Sequence, residues 1–231
     1  MIKAVFIDID DTLLDLERAC EEALKVGFEK FSIGPYRDAV VKTLLEVTAE
    51  LWRKLEKEEI TYERLLKERF KCVFEKLGID FDGLIFENFF REFLFESAIE
   101  VDGAREMLDY LDGKYILCAA SNGPHAQQIN RLKIAGMLGY FSHCFISESI
   151  GASKPSGDFF SYAINKLNED RGEKILPREI MMIGDSLSSD MTGACGSGLI
   201  SCFYDRKRTS DTKGLKVDYI IGNLRDIFEI L

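Results

Sequence analysis

Acidic side chains crowd the start of this 231-residue chain: Asp8, Asp10 and Asp11 stand in the run VFIDIDDTLLD at 5–15, with Thr12 beside them. Packed carboxylates repel one another, so such a knot needs a cation or a shared proton. Three later stretches answer it. Ser121-Asn122-Gly123 offers a hydroxyl and amide donors. Lys154-Pro155 offers a fixed positive charge. GDSLSSD at 184–190 adds two carboxylates, Asp185 and Asp190. Oxygen ligands with no histidine nearby favour Mg2+ over zinc. Acids, a hard cation, one lysine and one hydroxyl around a point suit a phosphoryl group. Each signal is weak alone: a DxD is common, SNG is a turn, and a lone lysine is usually solvated. Their ordered positions carry the weight.

What must position them is a set of strand ends. IKAVFIDI at 2–9 reads as a buried strand, and similar apolar runs occupy 115–121, 143–148, 180–184, 199–204 and 217–221. Helical patterns lie between them, at about 103–112, 124–135, 156–168 and 188–196. This alternation predicts an α/β fold with a doubly wound, mainly parallel, Rossmann-like sheet. Ligands bind such sheets beyond the carboxyl ends of the strands. All four signals fall there.

Residues 16–97 break the alternation. They contain no convincing strand and several runs with apolar residues at helical spacing. Leu44, Leu45, Thr48, Leu51, Trp52 and Leu55 predict one side of a helix. Phe86, Phe89, Phe90, Phe93 and Phe95 predict a bundle core. Gly34-Pro35 and Gly78 mark turns, and Asp102-Gly103 marks re-entry. The expected organisation is an α/β catalytic core of residues 1–15 and 98–231, with an inserted helical cap of residues 16–97.

Lys and Arg number 30 against 40 Asp and Glu, a net charge of −10. That argues against non-specific nucleic-acid or anionic-membrane binding. No apolar run reaches about 18 residues and no leader is evident, so the expectation is a cytoplasmic protein without a membrane span. Six cysteines without a CxxC pair, and only two histidines, speak against structural zinc and for reduced thiols in the core. The expected partner is a small phosphorylated metabolite; a monomer and a homodimer are both open.

The motifs DIDDT at 8–12, SNG at 121–123, KP at 154–155 and GDSLSSD at 184–190 resemble, through nearly the whole chain, the haloacid-dehalogenase-type superfamily of phosphohydrolases with a helical type-1 cap. The resemblance implies that Asp8 is the nucleophile, forming an aspartyl-phosphate. It makes Asp10 the general acid and then the general base, with its main-chain carbonyl on the metal. Thr12 would orient Asp10. Ser121 and the Asn122 amide would hold phosphoryl oxygens, and Lys154 would neutralise Asp8 and the phosphate. Asp185 would bind Mg2+, with Asp190 helping through water or by fixing Lys154. Asp11 is expected to be a loop residue, Glu148 to face solvent rather than support Lys154, and Ser186 to cap the next helix. Two departures are visible. Gly157 stands where the family usually has a second proline, and Ser121 replaces a commoner threonine while keeping the hydroxyl.

For substrate, DDTLLD, Leu51-Trp52, ITYERLLKERF at 60–70, SNGPHAQQINRL at 121–132 and IGDSLSSDMTGA at 183–194 resemble the nucleoside 5′-monophosphate phosphatase (pyrimidine 5′-nucleotidase) branch. SNG followed by a polar helix also resembles N-acylneuraminate 9-phosphatase, so sugar and sugar-acid phosphates stand as the alternative. A phosphomutase shares both aspartates. A non-catalytic phosphate-binding protein would not need Asp10.

Overall fold

The computed structural model describes residues 1–231 apart from 57, 58, 173 and 210, and apart from the side chain of residue 56. Contacts divide the chain into two compact units, Met1–Leu16 with Ala98–Leu231, and Glu17–Ser97. In chain order the elements are β1 (Ala4–Ile7), α1 (Leu16–Lys30), α2 (Asp38–Glu56), α3 (Tyr62–Leu77), α4 (Gly83–Glu96), α5 (Ala104–Leu111), β2 (Ile116–Ser121), α6 (His125–Ile134), β3 (His143–Ile146), α7 (Ser147–Ile150), α8 (Gly157–Arg171), β4 (Ile180–Gly184), α9 (Thr192–Ser197), β5 (Ile200–Tyr204) and β6 (Tyr219–Ile221).

The sheet runs β3-β2-β1-β4-β5-β6, with every pairing parallel. Successive strand side chains point to opposite faces. Val5, Ile7, Leu117, Ala119, Met181 and Ile183 therefore join the core under α5 and α6. Ala4, Phe6, Cys118, Ala120, Ile180 and Met182 join the one under α8 and α9. Both faces are dry, which explains why these strands read as unbroken apolar runs. The fold is the expected α/β sheet with an inserted helical unit. No described helix is long and apolar enough to cross a membrane.

Two helix limits differ from the sequence expectation. α8 runs to Arg171, where Gly172 takes the left-handed conformation (φ 63°) that ends a helix readily. The single helix expected over 188–196 is divided: a wide turn, Leu187–Met191, precedes α9. That turn decides where Asp190 points.

In the helical unit, the Thr61 side chain accepts from Arg64 N (3.2 Å) to open α3, and Asp82 Oδ1 accepts from Leu84 N (2.7 Å) and Ile85 N (3.2 Å) to open α4. Phe28, Phe70, Phe74, Phe86 and Phe90 form its aromatic core, with the Phe70 and Phe86 rings 4.6 Å apart. Phe89 and Phe93 are half-buried. Phe95 is 36% exposed, against expectation. It lies about two and a half turns beyond Phe86, so it faces the other way, and Leu94 is buried in its stead. On α2 the buried line is Val40, Leu44, Val47 and Leu51, while Leu45, Thr48, Trp52 and Leu55 are only half-buried.

One buried ion pair ties α3 to α4. Arg69 donates to Glu87 from Nε (2.9 Å) and again from Nη2, a two-pronged contact in the apolar core. Glu87→Ala would strand the guanidinium there, and a loss of about 3–5 kcal/mol is expected in urea unfolding. A paired Arg69→Met/Glu87→Met variant should lose far less. A single-variant loss below about 1 kcal/mol would contradict the burial argument.

Candidate active site

Backbone geometry brings the four motifs to one edge of the sheet. β1 ends at Ile7, and Asp8 N still donates to Ile183 O on β4 (2.9 Å). The chain then turns. Asp11 adopts φ 59°, and Leu13 and Leu14 both donate back to Ile9 O (2.9 Å). The turn sends Asp8 and Asp10 to different partners.

Asp8 meets Lys154, whose ammonium is 2% exposed and fully used. It donates to Asp8 Oδ1 (2.5 Å), Asp190 Oδ1 (2.6 Å) and Ala120 O (2.7 Å). Asn122 pins the lysine's backbone from both sides: Nδ2 donates to Lys154 O (2.8 Å), and Oδ1 accepts from Lys154 N (2.9 Å). Asp190 comes back over the wide turn. Its Oδ2 accepts from Ser186 N (3.0 Å), while Ser186 Oγ caps the turn by accepting from Ser189 N (3.2 Å).

The Asp8, Asp185 and Asp190 carboxylates present oxygens within 4.8 Å of one another. Burial pushes Asp8 well above the usual carboxylate range. Lys154 opposes that rise, while Asp190, Asp185 and Asp10 add to it. Burial, then Asp190 and Asp11, push Asp185 up to about 8. Burial would lower the Lys154 ammonium, but Asp190 and Asp8 outweigh it and hold it above its ordinary value. Three crowded, desolvated acids with one lysine between them fit a hard divalent cation, which would relieve their repulsion.

Asp10 stands outside that trio. Its carboxylate accepts from Gln128 Nε2 (2.6 Å) and from Arg131 Nη1, both on α6. Thr12 does not orient it, contrary to expectation; the Thr12 hydroxyl faces Asp185 Oδ1 instead (3.4 Å), because the turn after Asp11 carries it toward β4. Ser121 Oγ accepts from Gly123 N (3.1 Å) and Gln128 Nε2 (2.7 Å). Asp11 is a loop residue, paired with Arg206 (3.5 Å). Glu148 does more than face solvent: it accepts from His125 N (2.7 Å) and so caps α6.

A family profile of haloacid dehalogenase-like hydrolases matches residues 2–198. The chain belongs to the haloacid dehalogenase-like hydrolases. Among its relatives in that family is the HAD-hydrolase YfnB of Bacillus subtilis, 28% identical over 99% of this chain and 95% of that protein. A magnesium-bound crystal structure of YfnB superimposes with a TM-score of 0.89, covering 100% of this chain and 98% of that one at 27% identity. The pyrimidine 5′-nucleotidase PynA of Streptococcus pneumoniae is 29% identical over 99% of this chain and 94% of its own length. The pyrimidine 5′-nucleotidase YjjG of Escherichia coli is 26% identical, over 98% and 96%.

Two residues of this hydrolase's site escaped the sequence reading, Gln128 and Arg131. Both are fully buried. Their three-residue spacing on a helix directly after SNG was the available signal, since it puts them on one face with Leu132. Nothing in their type distinguishes them from neighbouring Gln127 and Lys133, which belong equally well on a solvated face.

The hydrolase fold also explains Gly184. A Cβ there would overlap the Asp190 carboxylate. Gly184→Ala must displace Asp190 and loosen Lys154. A loss of about 10²-fold in turnover is expected, with native far-UV circular dichroism; wild-type turnover would show that Asp190 is not needed to hold the lysine.

Proposed function

We propose that this enzyme is a Mg2+-dependent phosphomonoesterase acting through an aspartyl-phosphate, with nucleoside 5′-monophosphates as its substrate class. The observation that carries the reading is the separation of two carboxylates two residues apart. Asp8 sits beside a buried ammonium among metal-competent acids. Asp10 is held apart by neutral and cationic donors. One suits a nucleophile and the other a proton carrier.

In the proposed sequence Asp8 attacks phosphorus in line, the bond to the ester oxygen breaks, and Asp10 gives that oxygen a proton. Asp10 then takes a proton from water, whose oxygen attacks the aspartyl-phosphate and frees Asp8 with orthophosphate. Lys154 neutralises Asp8 and the incoming phosphate, and Ser121 and the Asn122 amide hold phosphoryl oxygens. Asp8 and Asp185 would hold the metal, with the Asp10 carbonyl; Asp190 acts by fixing Lys154. When bound, Mg2+ supplies charge neutralisation for the phosphoryl group.

Support for nucleotides comes from the cap and motif resemblances and from the two pyrimidine 5′-nucleotidases among the relatives. The test is phosphate release from nucleoside 5′-monophosphates, sugar phosphates, sugar-acid phosphates and p-nitrophenyl phosphate, with Mg2+ or with EDTA. Highest kcat/KM on the nucleotides, abolished by EDTA, is expected. A clear preference for sugar or sugar-acid phosphates would replace the substrate class. Interconversion of sugar phosphates with little free phosphate would replace the reaction.

A further inference from the structure

Gln128 occupies an unusual place for an amide. It is fully buried and touches a carboxyl, a hydroxyl and a guanidinium. A guanidinium can only donate, so Arg131 fixes the amide's orientation whether Asp10 is ionised or carries the proton it is to deliver. Its Nε2 faces Asp10 Oδ2 (2.6 Å) and Ser121 Oγ (2.7 Å), using both of its hydrogens, and its Oε1 accepts from Arg131 Nη1 (3.1 Å). Ser121 Oγ also accepts from Gly123 N (3.1 Å). A hydroxyl has two acceptor positions and one hydrogen. With both acceptor positions filled, the Ser121 hydrogen is left for a third partner. Gly123 is part of the same construction, since a Cβ there would overlap the Gln128 amide.

We infer that Gln128 is a positioning residue that sets hydrogen-bond polarity across the site, making Ser121 an obligate donor to a phosphoryl oxygen while holding the Asp10 carboxylate for proton transfer to the leaving group. This rests on the phosphatase reading above. Arg131 completes the device: it locks the amide's orientation from the far side and shares the Asp10 carboxylate. One side chain on α6 thus couples the group that grips phosphate to the group that moves the proton.

Two substitutions separate the effects. Gln128→Glu keeps the shape but puts an acceptor against Ser121 and a like charge against Asp10. Gln128→Met keeps the volume and removes both donors. The readouts are orthophosphate binding by calorimetry, and kcat/KM for a nucleoside 5′-monophosphate against p-nitrophenyl phosphate. An alkyl leaving group needs the proton and nitrophenolate does not. Losing a fixed donor or an oriented acid costs about 10²–10³-fold. Gln128→Glu should therefore weaken orthophosphate binding at least ~10-fold and lower kcat/KM on the nucleotide ~10²-fold or more. Gln128→Met should lose ~10-fold more on the nucleotide than on p-nitrophenyl phosphate, as Asp10→Asn should. Gln128→Met, judged by its thermal midpoint, carries the test if Gln128→Glu does not fold.

If the wild type turns over and Asp10→Asn shows the leaving-group effect, but folded Gln128 variants match wild type within about threefold on both substrates and in phosphate binding, the inference falls alone. If the wild type neither releases phosphate from any ester nor binds orthophosphate, the phosphatase reading falls and takes the inference with it.

Discussion

Asp8→Asn is expected to abolish phosphate release by at least about 10⁴-fold while the protein stays folded. The amide matches the carboxylate in size and can still accept from Lys154 Nζ, which keeps Asp190 and Ala120 O as partners. What it lacks is the anionic oxygen that attacks phosphorus. Stability should not suffer, because burial and the neighbouring acids already oppose a charge at this position. Rapid quench in acid, followed by mass spectrometry, should find a phosphoryl group on a peptide containing residue 8 in the wild type and none in the variant. Residual turnover above about 1% would remove Asp8 as the nucleophile, since an intact binding site without its nucleophile retains far less.

Lys154→Met should damage both stability and turnover. The ammonium is the hub of the site, holding Asp8, Asp190 and the β2 carbonyl of Ala120 together out of water. Deleting it leaves two buried carboxylates facing each other, at a cost of about 3–5 kcal/mol. It also removes the charge that meets the phosphoryl group, so kcat/KM should fall about 10³-fold. Lys154→Arg should rescue little. A planar fork cannot direct three donors from one point as an ammonium does.

The pH dependence of that loss follows from Asp8. Burial raises its carboxyl in the folded chain and Lys154 opposes the rise, so removing Lys154 raises it further. The folded state then binds more protons than the unfolded chain above pH ~4, and stability falls as pH rises. In EDTA, the gap between wild type and Lys154→Met in urea midpoint should be wider at pH 7.5 than at pH 4.5. A constant gap would mean either that Asp8 keeps its proton through pH 7.5 in both proteins or that lost packing accounts for the damage.

Much of this architecture was legible in order along the chain. Local apolar runs and helical spacing are short-range properties, and they sufficed for the parallel sheet and for a helical insertion after β1. Three of the four site signals lie directly at strand ends, and Lys154 follows β3 across the single turn of α7, so the sheet topology brings them to one end of the sheet once the strands are recognised. The structure brings Asp8, Lys154 and Asp190, which the sequence places after three different strands, into direct contact.

Side-chain direction was not legible, because it depends on turns a few residues long and on what the neighbouring elements leave open. The Asp11 turn divides Asp8 from Asp10 and carries Thr12 to Asp185 rather than to Asp10. The wide turn at Leu187–Met191, set among Gly184, Ser186 and Lys154, brings the Asp190 carboxylate back onto the lysine. Gln128 and Arg131 look like surface residues on a polar helix until β2 and the Asp10 loop close over them. Composition and spacing name the acids, the lysine and the hydroxyl. Only packing decides which of them face one another, because a hydrogen bond is settled within a few tenths of an ångström by groups more than a hundred residues apart, such as Gln128 and Asp10.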